Sequence, residues 1–213
     1  MKRWRLLLAD DHAIVIEGLR RVLDHPDLEI VEVVNDGRAL VRAAERTQPD
    51  MIVADITMPL LNGIEAARQI RKSNPGVKII FLTMRQDVAF ATEALAAGGS
   101  AYVLKNSAGD ELLTAIREVA QGRVYVTKSI AEPVKQRLSG RSLTWRSPLD
   151  QLTSRQREVL QLLAEGLQVK EIAAKLHVSP RTVEFHKYRI MDELGLRTVA
   201  ELATYAARHG IVP

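Results

Sequence analysis

Through its first 120 residues the chain alternates short apolar, β-branched runs with longer segments of helical period. This alternation limits the fold more than any other feature, because it is the pattern of a doubly wound parallel α/β sheet with helices on its faces. The runs predict five strands, at Arg5–Ala9, Glu29–Val34, Met51–Ala54, Lys78–Leu82 and Ala101–Leu104. Helices are predicted in the gaps, at Val15–Asp24, Gly37–Thr47, Ile64–Lys72, Val88–Ala97 and Asp110–Gln121. In open sheets of this kind the ligand site lies at the carboxyl ends of the strands. That rule singles out Asp10, Asp11, Asp55, Thr83 and Lys105, all at strand ends.

From Gly122 to Leu149 the periodicity weakens, Pro133, Gly140 and Pro148 interrupt it, and Arg137, Arg141 and Arg146 form a basic stretch. This segment reads as a linker with one short helix. Beyond it the pattern is entirely helical, with four helices at Ser154–Glu165, Lys170–Leu176, Pro180–Leu194 and Val199–Arg208. Thr153 with Gln156, and Thr198 with Glu201, have capping-box spacing, and Ser179-Pro180 puts a cap before a first-turn proline. Leu160, Leu163, Ile172, Leu176, Val183, Ile190 and Leu194 can close a small helical core. The division is therefore 1–121, a linker at 122–149, and a four-helix unit at 150–213.

A chain of 213 residues, 46% of them apolar, has room for two domains. The absence of cysteine excludes a disulfide framework and a thiolate metal site. The apolar run Leu6–Ala9 is too short for a signal peptide or a membrane span, so the cytoplasm is the expected compartment and no membrane partner is expected. The net charge of +4 is unevenly placed, with 15 basic and 17 acidic residues up to Gln121 and 15 and 9 beyond it. The basic half suggests an anionic partner such as nucleic acid, although much of the excess lies in Gly122–Asp150.

Asp10, Asp11 and Asp55 at one sheet edge would repel one another unless a hard cation sat among them, and Mg²⁺ is held in this way. The cation would leave positions for phosphoryl oxygens, so that one aspartate can act as a nucleophile. Asp55 suits that role, because it follows a buried run and precedes Ile56-Thr57-Met58-Pro59, a loop that can turn the Thr57 carbonyl toward the metal. Lys105 and Thr83 would contact phosphoryl oxygens. Taken singly, Asp10 also reads as a helix cap, Thr83 as a strand-end hydroxyl and Lys105 as a solvated cation.

The series Asp-Asp, then Asp-x-x-Met-Pro some 45 residues later, then Thr, then Lys, resembles the receiver domain of response regulators across residues 1–121. The resemblance implies transfer from the phosphohistidine of a cognate histidine kinase to Asp55. It places Asp10, Asp11, Asp55 and Thr57 on Mg²⁺, and makes Thr83 and Tyr102 the switch residues. Thr57 and Arg85 hold the positions that tune phosphate lifetime in that family.

At the other end, the short joint His177-Val178-Ser179 has the length of a helix-turn-helix, whose second element enters the major groove. Leu-Thr-Ser-Arg-Gln-Arg-Glu-Val-Leu at 152–160, Glu-Ile-Ala at 171–173 and Val-Ser-Pro-Arg-Thr-Val-Glu-Phe-His at 178–186 resemble the LuxR-type helix-turn-helix. With a receiver, the resemblance is to the NarL/FixJ family. It implies a DNA-binding response regulator, not an enzyme, acting as a homodimer on double-stranded promoter DNA, with RNA polymerase as a further partner it allows. The residues expected to meet DNA are Arg181, Thr182, Glu184, Phe185, Lys187, Tyr188 and Arg189. Phe185 and Tyr188 depart from the smaller or basic residues usual there. His186 is expected to pack internally, and neither it nor His177 is assigned a metal.

The nearest rival of another class, an aspartate-nucleophile phosphatase, resembles Asp-x-Asp-x-Thr and needs a second acid where Thr57 stands. A regulator with a silent Asp55 would not need Asp10, Asp11, Thr83 and Lys105.

Overall fold

The computed structural model describes residues 3–139 and 148–212. Arg141 and Arg146 of the expected basic stretch, and Gly140, lie outside the described residues. The first part alternates β1 (Trp4–Ala9), α1 (Ala13–Val22), β2 (Leu28–Val34), α2 (Gly37–Thr47), β3 (Met51–Asp55), α3 (Gly63–Ser73), β4 (Lys78–Thr83), α4 (Val88–Ala96), β5 (Ala101–Leu104) and α5 (Ala108–Ala120). All strands are parallel, in the order β2-β1-β3-β4-β5-β6. The sixth strand corrects the expectation of five. β6 (Tyr125–Val126) pairs with β5 through Ala101↔Tyr125 and Tyr102↔Val126, and two residues are too few to show a period in the sequence.

The sheet has a core on each face. Leu7, Ile52, Ile79 and Phe81 point toward α2, α3 and α4, while Leu6, Leu8, Val53, Ile80 and Val103 point toward α1 and α5. Strands buried on both sides account for the unbroken apolar runs. After β6, α6 (Lys128–Ser139) lays Ile130 and Val134 into the α4 side of the core and carries Pro133 in its interior.

The second part holds α7 (Ser154–Ala164), α8 (Val169–Leu176), α9 (Pro180–Leu194) and α10 (Val199–Arg208). Thr153 and Gln156 form the reciprocal cap of α7, and Ser179 accepts from the Thr182 N–H ahead of α9. At α10, Thr198 accepts from the Glu201 N–H, but the Glu201 carboxylate reaches the Arg197 N–H at 2.6 Å instead of that of Thr198. Leu160, Leu163, Ile172, Leu176, Val183 and Ile190 are buried together, with Leu194 partly buried against them.

α7 lies against the first part. Arg157 Nε is 2.7 Å from Glu65 Oε2, and Glu158 accepts from Arg38 at 3.0 Å and Gln69 at 2.8 Å. At the far end of the helical unit the backbone of Gly210 adopts φ +68° against Arg85, where a Cβ would stand 1.7 Å from the guanidinium.

Candidate functional site

Parallel register builds the site. Ala9 pairs with Ala54 and Thr83 with Leu104, so Asp10, Asp55, Thr83 and Lys105 emerge together at the carboxyl edge of the sheet. Gly63 allows α3 to start hard against β3, since a Cβ there would lie 2.2 Å from the Asp55 carbonyl oxygen.

Ligand atoms of Asp10, Asp11, His12 and Asp55 all lie within 4.8 Å of one another. Asp10 and Asp55 are buried, whereas Asp11 and His12 are exposed. Lys105 Nζ stands 2.7 Å from Asp10 Oδ2 and 2.7 Å from Asp55 Oδ2. Two carboxylates share the one ammonium and Asp11 adds a third to the cluster, which leaves an excess of negative charge on hard oxygen donors, and this donor set suits a magnesium ion. Burial opposes the charge on Lys105, but its two carboxylate partners outweigh it and hold the ammonium above its ordinary pKa. Burial raises the Asp55 carboxyl; Lys105 and the Thr57 N–H pull the other way, and Asp10 adds to the rise. The Thr57 N–H donates to Asp55 Oδ1 at 3.2 Å, placing Thr57 beside the cluster.

His12 was not foreseen as part of this group. Its Nδ1 lies 3.1 Å from Asp10 and 2.9 Å from Asp11, and its backbone N–H donates to Asp10 Oδ1 at 2.9 Å. Asp10 thus also holds the turn into α1. Its position directly after Asp10-Asp11 was the available signal.

Thr83 is buried, and its hydroxyl accepts from the Arg85 N–H at 3.2 Å. Tyr102 is fully buried, and its hydroxyl donates to the Arg85 carbonyl at 2.8 Å. Burial holds the phenol above its ordinary pKa. Both residues therefore meet at Arg85, whose guanidinium lies 4.8 Å from the Phe90 ring centroid.

On α9 the period of the helix buries Val183 and Ile190 and turns Arg181, Phe185, Tyr188 and Arg189 outward. Phe185 is 61% and Tyr188 64% exposed, one turn apart on the outward side of α9. Thr182 is half-buried with its hydroxyl 2.8 Å from that of Ser179. Lys187 differs from a free flanking cation: it pairs with Glu184 at 2.5 Å and lies 4.9 Å from the Tyr188 ring centroid. His186 packs edge-on to Phe185 at 5.7 Å, and burial pulls its pKa down.

Known proteins give the same two parts. Residues 6–117 match the response regulator receiver domain, and residues 150–206 match the bacterial regulatory proteins of the luxR family. The response regulator GacA of Pseudomonas aeruginosa is 32% identical over 98% of this chain and 97% of its own length. The oxygen regulatory protein NreC of Staphylococcus epidermidis is 36% identical over 96% of this chain and 97% of its own. Among solved structures, the Salmonella typhimurium RcsB response regulator matches with a TM-score of 0.66 and 28% identity, covering 98% of this chain and 99% of that one. The chain belongs to the NarL/FixJ family of DNA-binding response regulators, in which a receiver domain is joined to a LuxR-type helix-turn-helix.

Proposed function

We propose that Asp55 accepts a phosphoryl group from a cognate histidine kinase, and that this event switches dimerisation and promoter binding by the helix-turn-helix. The observation that carries the reading is the buried Asp55 carboxylate in the acidic cluster, 2.7 Å from Lys105 at the sheet edge. In the transfer a phosphohistidine P–N bond breaks and a P–O bond to Asp55 forms. Asp10, Asp11, Asp55 and the Thr57 carbonyl would hold Mg²⁺, which when bound neutralises charge on the phosphoryl oxygens. Lys105 exchanges a carboxylate for a phosphoryl oxygen, and Thr83 turns its hydroxyl onto the new group. Tyr102 is coupled to that movement through Arg85, which both residues touch.

In this reading residues 1–121 receive the signal, 122–149 connect while lending β6 and α6 to the receiver's sheet and core, and 150–213 bind DNA. Arg181, Thr182, Glu184, Phe185, Lys187, Tyr188 and Arg189 form the DNA face. RcsB structures with DNA, including one with two dimers, support a homodimer on double-stranded DNA. RNA polymerase at the promoter and a cytoplasmic location complete the proposal. No helix among the described residues is long and apolar enough to cross a membrane.

The test is labelling by a small phosphodonor with Mg²⁺. Wild type takes one phosphoryl group and Asp55→Asn takes none; label persisting on the variant contradicts the assignment.

A further inference from the structure

The loop between Asp55 and α3 takes its shape partly from the other domain. Its Met58 carbonyl accepts from Gln161 Nε2 at 2.8 Å, and its Asn62 N–H donates to Gln161 Oε1 at 2.7 Å. Its Leu60 N–H donates to Glu165 Oε1 at 2.9 Å, and Gln161 donates to the same oxygen at 2.8 Å. Three backbone groups of the loop thus find their partners on two side chains of α7. Buried backbone groups need such partners, so their loss would be felt in the loop itself.

Two further observations separate this from ordinary contact between domains. Gln161 is 1% exposed, an uncharged side chain whose amide is spent on both ends of the loop. Leu60 has φ +67° and packs against the core of the helical domain. A bulky non-glycine residue holds that backbone conformation only where its surroundings impose it. The imposed loop is tied to Asp55 at its start, for the Thr57 N–H, two residues on, donates to the Asp55 carboxylate.

We propose that Gln161 and Glu165, on the first helix of the DNA-binding domain, are positioning residues of the phosphoacceptor loop, so that docking of that domain and phosphorylation of Asp55 oppose each other. The inference rests on Asp55 as acceptor. Docking favours the loop of the unphosphorylated form, and whatever rearrangement phosphorylation requires has to work against these bonds. By linkage, phosphorylation weakens docking to the same extent that docking disfavours phosphorylation. The docked domain leaves Phe185 and Tyr188 exposed, so this control does not operate by covering the outward face of α9.

Amide hydrogen exchange on the full chain reads the clamp without any substitution. The Leu60 and Asn62 amides are expected to be protected in the unphosphorylated protein, and to lose protection by about 10-fold or more after treatment with acetyl phosphate and Mg²⁺. Gln161→Ala is expected to raise the initial rate of Asp55 labelling about 5-fold, the factor that one net hydrogen bond corresponds to. Arg157→Ala opens the Glu65 pair across the same interface but keeps the Gln161 bonds, and is expected to speed labelling only as far as it lowers protection of the Asn62 amide, since both follow docking. Unchanged protection in phosphorylated protein overturns the proposal. So does Gln161→Ala labelling no faster than wild type, or Arg157→Ala accelerating labelling equally with Asn62 still protected. Wild type that takes no label at all contradicts the acceptor assignment beneath it, a result distinct from labelled protein with a protected Asn62.

Discussion

Lys105 Nζ is 2.7 Å from Asp55 Oδ2, and in this structure the ammonium occupies the space between the acceptor carboxylate and Asp10. Removing it should separate two effects. Lys105→Ala loses one positive charge from the cluster and should bind Mg²⁺ more tightly by calorimetry. It should label at least about 10-fold more slowly, since a charge-assisted contact to the phosphoryl group is gone. Breaking a buried pair should also lower stability by about 3 kcal/mol without metal. Weaker Mg²⁺ binding would show that Lys105 is not competing for that space.

Tyr102→Phe removes one hydroxyl, and with it the bond to the Arg85 carbonyl. Denaturant unfolding should show a loss of about 1 kcal/mol, the net worth of a hydrogen bond. Sedimentation should show that phosphorylation no longer promotes dimers as it does in wild type, because Thr83 and Tyr102 meet at Arg85. A variant that dimerises normally on phosphorylation would remove Tyr102 from the switch.

Burial raises the carboxyl of Glu165, and bonds from Gln161 and Leu60 with the charges of Lys175 and Arg38 counter it in part. A carboxyl raised in the docked form favours docking most below its undocked pKa, and that contribution fades as pH rises through the docked value. Protection of the Leu60 amide, corrected for intrinsic exchange, should therefore fall from acid toward neutral pH. Glu165→Gln should flatten the dependence, and a wild-type profile that rises with pH would reverse the sign.

The α9 prediction follows from which face is exposed. Glu184 and Tyr188 substitutions should change sequence preference, whereas Lys187→Ala should weaken specific and random duplexes alike and lower the salt slope by about 1. Its pairing with Glu184 means that the same variant also frees that carboxylate. Fluorescence titrations at several salt concentrations distinguish these outcomes; equal slopes for Lys187→Ala and wild type would place Lys187 away from phosphates.

The strands that run through the middle of the sheet were legible because burial on both faces writes itself as continuous apolar residues, as in Met51–Ala54. The edge strand Tyr125–Val126 was not, since its pairing depends on β5 and not on its own pattern. Asp10, Asp55, Thr83 and Lys105 could be picked out because each stands at the end of an apolar run, and Asp11 because it follows Asp10. The role of α7 was hidden. Arg157, Glu158 and Gln161 read as the wet side of an amphipathic helix, and only the placement of Glu65, Arg38 and Met58 shows that this side meets a second domain. Leu60 likewise carries no glycine or asparagine signature for its positive φ.

The most direct test of the account is the DNA affinity of wild type and Asp55→Asn, each with and without a small phosphodonor and Mg²⁺, on one promoter duplex at fixed salt. The account predicts that the donor tightens wild-type binding by about 10-fold, within the range of ordinary coupling between sites, and leaves Asp55→Asn unmoved. Equal affinity of phosphorylated and unphosphorylated wild type, or an equal gain in Asp55→Asn, would contradict it.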